Sequence, residues 1–131
     1  MEVFGYKMSN QREYRFSVKK DAHYLQRAEF HCEGRQVGFI EYTNVWEPSE
    51  RGHYLDWKNV SGDDRTMEIR CFHRKVDNAG NVYSGWEKSD IKLVSDDYQG
   101  GDWLVGAADG GDGPPNYNNL TIQIHEKPDW P

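Results

Sequence analysis

The stretch RTMEIRCFHR, residues Arg65–Arg74, alternates apolar and polar side chains with a period of two. Met67 and Ile69 share one face of an extended chain, whereas Glu68 and Arg70 share the other. This alternation is typical of a β-strand that covers a hydrophobic core with one face and meets solvent with the other. The stretch therefore predicts a long, half-buried strand.

The same alternation recurs on both sides of this stretch, and helical periodicity is nearly absent. The apolar members of the other alternating runs are Tyr14, Phe16, Val18, Ala28, Phe30, Cys32, Val37, Phe39, Leu120, Ile122 and Ile124. Turn-forming residues separate the runs every ten residues or so, as in the stretches VDNAGNVY and DDYQGGDW. We therefore expect an all-β fold, an antiparallel β-sandwich of about eight or nine short strands, in a single domain covering residues 1–131.

Composition and charge exclude several classes of protein. The 131 residues are 36% hydrophobic and 14% aromatic, which is enough for one folded core. A net charge of −6 without a basic stripe argues against nucleic acid and against an electrostatic membrane footing. No apolar run is long enough for a transmembrane helix or a signal peptide. We expect a chain that is cytoplasmic as synthesised, and export without a visible signal peptide stays open.

The cysteine and histidine residues give no sign of catalysis. Cys32 and Cys71 lie in strand-like runs, which favours two buried thiols over one bridge between facing strands. The five histidines have no zinc-like spacing, and we expect His31 and His73 to be solvated. No nucleophile-elbow serine and no Cys–His arrangement is visible. The sequence predicts a protein that is not an enzyme.

A second stretch, WLVGAADGGDGPPNYNNLTIQI at residues 103–124, contains an unusually long loop between two apolar runs. The oxygen-bearing side chains of this loop are Asp109, Asp112, Asn116, Asn118 and Asn119. Such oxygens suit Ca²⁺, and the glycines among them let the backbone turn tightly. The same residues are also ordinary turn formers. The composition alone leaves both a metal site and a plain turn open.

The run at 103–124 resembles the C-terminal signature of the small calcium-dependent bacterial lectins that bind fucose and mannose. In that family, a strand ending in Leu-Val-Gly enters a loop rich in Asp, Glu and Asn, which ends in Tyr-Asn-Asp before the last strand. Residues 65–94 are also similar to the family's long strand, short turn and returning strand. The resemblance covers residues 65–124 and implies a non-catalytic lectin whose ligand is a glycan or monosaccharide.

The resemblance also implies a site, because the family's loop holds two adjacent calcium ions that sugar hydroxyls coordinate directly. Carried over by position, the metal ligands and sugar-binding residues are Asp109, Asp112, Asn116, Asn118 and Asn119. This chain departs from the family pattern: Ala108 replaces a Glu, Asn116 and Asn119 replace Asp, and GPP lengthens the loop by two residues. Each lost carboxylate weakens calcium binding. We therefore expect one weak calcium ion, or none, rather than two.

The chain end and the tryptophans complete the comparison. The family's terminal carboxylate, donated by a partner subunit, joins the site, whereas the stretch HEKPDWP extends this chain. Trp86 follows Ser-Gly and precedes charged residues, so it is a candidate for stacking on sugar, with a core position as the alternative. Small lectins gain avidity by oligomerising, which predicts a homo-oligomer. The competing interpretations are a structural or protein-interaction β-sandwich without a sugar site and a membrane-binding, cytolysin-like β-sandwich.

Overall fold

The computed structural model describes residues 1–43, 53–110 and 114–128. Within these ranges the chain forms ten strands, and none of the described segments is a helix able to cross a membrane. The strands are β1 (Phe4–Met8), β2 (Glu13–Lys20), β3 (Leu25–Cys32), β4 (Arg35–Tyr42), β5 (His53–Lys58), β6 (Arg65–Arg74), β7 (Glu87–Lys88), β8 (Asp90–Tyr98), β9 (Asp102–Ala108) and β10 (Leu120–Glu126).

The strands form two antiparallel sheets of five strands each. In the first sheet the order is β1-β6-β3-β4, and the short β7 pairs with the last part of β6. In the second sheet the order is β5-β2-β10-β9-β8. The predicted antiparallel β-sandwich is confirmed, with ten described strands in place of the expected eight or nine.

Strand β6 is the alternating stretch from which the fold was predicted. It lies between β1 and β3, and its register places Ile69 opposite Phe4 on one side and opposite Phe30 on the other. Met67 and Ile69 are completely buried, and Cys71 is 1% exposed. The predicted division of this strand into a core face and an outer face is therefore confirmed.

The core fills the space between the sheets and relies on aromatic side chains. Phe16 of β2 and Phe30 of β3 are fully buried, and their ring centroids lie 5.4 Å apart. Tyr14 and Tyr42 add two more large buried rings. Because full burial of a large apolar side chain stabilises the fold by about 1.5–3 kcal/mol, such rings compensate for the low hydrophobic content of the sequence.

The strand register defines two ends of the sandwich. Leu120 of β10 lies opposite Lys20 of β2 and Ala107 of β9, so the loop at 109–119 and the β2–β3 turn lie at the same end. The segment between β6 and β8, residues 75–89, also lies there. We call this the loop end. The turns at 33–34 and 59–64 lie at the opposite end.

Both cysteines are free thiols. Cys71 is buried, and its desolvation raises the pKa of the thiol to about 12. Cys32 is only half-buried, and burial is also the largest cause that raises its pKa. The prediction of two buried thiols is confirmed for Cys71, whereas Cys32 is a free thiol that is only half-buried.

Candidate functional site

Asp109 stands at the end of β9, at the point where the chain leaves the second sheet for the loop. It is only 8% exposed, and its Oδ2 accepts a hydrogen bond from Nε2 of the fully buried Gln26, at 3.2 Å. Its backbone N–H donates to Oδ1 of Asn119 at 3.2 Å. Because a buried carboxylate is costly without partners, these contacts fix Asp109 at the base of the loop rather than at its surface.

The carboxylate borders a cleft of about 400 Å³, which we call the Asp109 cleft. The lining residues are His73, Lys75, Glu87, Lys88, Asp90, Ala108, Asp109, Gly110 and Pro115. Both lysines are paired, since Nζ of Lys75 lies 3.6 Å from Glu87 and Nζ of Lys88 lies 3.4 Å from Glu2. With three carboxylates against two ammonium groups in its lining, the cleft is polar and mildly acidic.

His73 forms part of the inner wall of this cleft, and the prediction that it is solvated was wrong. It is 4% exposed, its Nδ1 lies 2.8 Å from Oγ of Ser89, and its ring stacks on Tyr24. The reason is parity: position 73 shares the inward face of β6 with Cys71. Burial is the largest influence on the pKa of His73 and lowers it, while the nearby Asp109 opposes that shift.

His31, also expected to be solvated, is half-buried on the outer face of the first sheet. Its Nε2 lies 2.9 Å from Glu29, which in turn accepts a hydrogen bond from Arg27. Arg27 also bonds Glu41. His31 thus belongs to an ion-pair network on the outer face of the first sheet.

The asparagines of the loop divide into two roles. Oδ1 of Asn116 accepts a hydrogen bond from the N–H of Asn118 at 3.0 Å, and Oδ1 of Asn119 accepts one from Asp109. These are the local bonds with which Asn side chains stabilise turns. The side chain of Asn118 is exposed and has no partner among the described residues. Asp112 lies outside the described residues.

Tyr117 anchors the loop to the second sheet, a role that the sequence analysis did not identify. Its hydroxyl donates to the carboxylate of Asp90, and its ring lies 4.8 Å from Nζ of Lys92. Its backbone carbonyl packs on the bare Cα of Gly106. The signal in the sequence was the Gly of the Leu-Val-Gly run, because only glycine allows so close an approach.

Trp86 lies at the same end of the sandwich but does not line the Asp109 cleft. It is half-buried, and the guanidinium carbon of Arg74 lies 5.7 Å from the centre of its ring. The ring therefore already has one cationic partner. Its role in stacking on sugar stays a prediction.

The described part of the site offers a cation few charged ligands. No group of three His, Cys, Asp or Glu side chains placed to hold a metal occurs among the described residues. Asp109 is the one carboxylate of the loop within the described ranges, and Oε1 of the neighbouring Gln26 is buried without a donor. One carboxylate and one amide oxygen suit a single weakly held cation that also binds a carboxylate outside the described ranges. They suit a pair of calcium ions poorly.

Three solved structures that share this fold are bacterial lectins. The Chromobacterium violaceum lectin CV2L, solved in complex with α-methyl-fucoside, aligns with 98% of this chain and 97% of its own, at a TM-score of 0.58 and 14% identity. The C-terminal domain of the BC2L-C lectin from Burkholderia cenocepacia aligns over 96% of both chains, at a TM-score of 0.58 and 12% identity.

A high-affinity mannose-binding lectin from Ralstonia solanacearum aligns with 98% of this chain and 97% of its own, at a TM-score of 0.57 and 14% identity. No protein-family model matches the sequence, and no curated protein matches it either. The likeness extends over nearly the whole chain, beyond residues 65–124. At these identities it demonstrates a shared fold.

Proposed function

We propose that this protein is a non-catalytic carbohydrate-binding protein, a lectin, that binds sugar hydroxyls at the loop end. The observation that carries the proposal is Asp109, a nearly buried carboxylate placed where the long loop begins and facing a polar cleft. The architecture supports the same interpretation, since the three similar solved structures are lectins and align with this chain over nearly their whole length.

The described residues supply the groups that recognise sugars. A carboxylate such as Asp109 accepts hydrogen bonds from hydroxyl groups, and these charge-assisted bonds are stronger than neutral ones. The exposed amide of Asn118 both donates and accepts, so it can match a hydroxyl in either role. Asn116 and Asn119 already hold the turn, and we infer that they act mainly by presenting Asn118.

We further propose that the loop binds at most one calcium ion, through Asp109 and Asp112, with loop amide oxygens as neutral ligands. A bound calcium ion supplies positive charge to which sugar hydroxyls coordinate. Support for the proposal comes from the oxygen-rich loop and from the unpartnered Oε1 of Gln26. The low number of carboxylates argues for weak affinity.

Calcium binding is tested by thermal melting. A calcium concentration a hundredfold above Kd adds about 2.7 kcal/mol to the unfolding free energy, so the melting temperature of the wild type should rise. Asp112→Ala should remove most of the rise, whereas Asp97→Ala, an exposed carboxylate on β8, should retain it. Identical melting of the wild type in excess calcium and in chelator would reject the calcium site and leave direct sugar binding intact.

We also propose that the protein acts as a homo-oligomer. Multivalent binding raises avidity when each site is weak. Among the described strands, β1, β4, β5 and β8 are edge strands of the two sheets, and unpaired edges are surfaces on which a second copy can add strands. Sedimentation of the purified chain measures the oligomeric state directly.

Two of the three exposed aromatic side chains among the described residues do not favour the membrane-binding alternative. Phe39 is 53% exposed, but the guanidinium carbon of Arg27 lies 4.1 Å from the centre of its ring. Tyr54 is 57% exposed, and Arg15 covers it at 3.9 Å. A ring covered by a paired guanidinium is a poor membrane anchor, because inserting it would desolvate the charge.

A glycan array with and without chelator tests the proposed function. We expect binding to glycans that carry fucose or mannose, and we expect chelator to reduce it if calcium takes part. Leakage of lipid vesicles without any glycan binding would contradict the proposal and favour the cytolysin-like alternative.

A further inference from the structure

A second cleft, of about 380 Å³, opens at the opposite end of the sandwich. It lies where the edge strands β4 and β5 of the two sheets approach each other, an approach so close that a Cβ at Gly38 would lie 3.1 Å from Leu55. Its size is that of small-molecule sites, about 300–1,000 Å³. No described residue of the loop at 109–119 lines it, so it is separate from the Asp109 cleft. We call it the Trp57 cleft.

The floor of the Trp57 cleft is apolar. Trp57, Val37 and Cys32 line it, and all three are half-buried side chains packed against the core. Trp57 occupies an inward position of β5, so part of its ring faces the cleft and part faces the core. An indole face of this kind accepts the C–H face of a sugar ring or another flat ring.

The rim of the cleft carries three cationic side chains, and only one of them has an acidic partner among the described residues. Arg65 forms an ion pair with Glu33 and lies 3.7 Å from Asp63. Arg35 and Lys58 are exposed and make no ion pair among the described residues.

Lys58 has an acidic neighbour that is already engaged. Glu13 lies opposite Lys58 in the strand register, but the Glu13 carboxylate pairs with Lys127 at 3.2 Å. The Trp57 cleft therefore combines an indole face with two positive charges that no described residue compensates, in a chain whose net charge is −6. A ligand that matches both features carries a ring and an anionic group.

We propose that the Trp57 cleft is a second binding site, specific for a sugar that carries a carboxylate, such as a uronic or sialic acid residue. The sugar ring packs on Trp57, and the carboxylate lies between Arg35 and Lys58. A guanidinium can bind a carboxylate with two parallel hydrogen bonds, which gives orientation as well as affinity. A neutral sugar gains nothing from the two cations, so the carboxylate sets the specificity.

Calorimetric titration of the full chain tests this site, with methyl glucuronide, methyl glucoside and benzoate as probes. We expect the glucuronide to bind the wild type and the glucoside to bind at least tenfold more weakly at this site. Arg35→Gln and Lys58→Gln should each weaken glucuronide binding about tenfold, because each removes a charged hydrogen-bond donor. Lys19→Gln, a matched loss of an exposed charge on β2, should leave it unchanged.

Two further results decide the proposal. Asn118→Ala should still bind the glucuronide, so a failure of the proposed function at the loop end does not affect this test. Equal binding of glucuronide and glucoside, wild-type affinity in both Arg35→Gln and Lys58→Gln, or no glucuronide binding at all would overturn the site. Tighter binding of benzoate than of the glucuronide would overturn the sugar specificity and identify an aromatic-acid site.

Discussion

The backbone carbonyl of Tyr117 lies so close to the Cα of Gly106 that a side chain at position 106 would overlap it. This contact brings the last part of the loop down onto the outer face of the second sheet, where Tyr117 also bonds Asp90. The position of Tyr117 and the last part of the loop therefore depends on the absence of one Cβ atom.

Gly106→Ala should displace Tyr117 and the loop that it anchors. We expect a loss of about 1–3 kcal/mol in the unfolding free energy, the range for overpacking, together with loss of glycan binding. Gly85→Ala is the matched control, because a Cβ at position 85 meets nothing within 4 Å. Melting curves and glycan titrations of both variants provide the measurement. Wild-type glycan affinity in Gly106→Ala would show that the loop position does not matter for binding.

His73 should make stability depend on pH. Burial lowers its pKa, so as the pH falls through about 6.5 the unfolded chain takes up a proton before the folded chain does. The unfolded state then binds more protons, and the unfolding free energy falls with decreasing pH until the pH passes below the folded pKa. Urea unfolding at about pH 7.5 and about pH 5 should show this loss, and His73→Gln should lose less. An identical pH slope in the variant would contradict the account.

Asp56 should also make stability fall with decreasing pH, but in a more acidic range than His73. Arg15 donates two hydrogen bonds to Asp56, at 2.8 and 3.0 Å, and Lys127 donates a third at 2.9 Å. These cations lower the pKa of the carboxyl to about 2. The contribution is therefore present above the unfolded pKa of about 4 and is lost as the pH falls through about 2.

Asp56→Asn should cost at most about 1 kcal/mol near neutral pH, because the group is partly exposed and screened. The difference from the wild type should shrink in acid. Asp97→Asn provides the control, since that exposed carboxylate makes no ion pair among the described residues. Denaturant unfolding across the acidic range measures both variants. A constant difference at all pH values would mean that packing, not charge, explains the effect.

Strands could be predicted where apolar and polar side chains alternate along the strand itself. The pattern of Met67 and Ile69 identified β6 and its buried face, but β1 was missed although Phe4 and Met8 alternate in the same way. The two-residue β7 has no pattern of its own, because it exists through pairing with β6. Sheet order was also beyond the sequence, since β2 pairs with β5 and with the distant β10.

The sequence showed which segment holds the candidate site, but it did not show the contacts that build the site. The oxygen-rich loop was visible in the sequence, whereas the burial of Asp109 depends on Gln26, which lies 83 positions away. The position of His73 could have been predicted, because its parity matches that of Cys71. Tyr117 was missed because its partners Asp90 and Lys92 come from another strand.

Sugar binding at the loop end is tested by calorimetric titration of loop variants with the glycan that binds best on the array. Asn118→Ala and Asp112→Ala should abolish binding, while their melting temperatures, compared in chelator, stay within a degree or so of the wild type, as expected for surface-loop truncations. Asn78→Ala, an exposed turn residue that does not line the Asp109 cleft, should bind normally. Wild-type affinity in both loop variants would contradict the account and place any sugar site elsewhere.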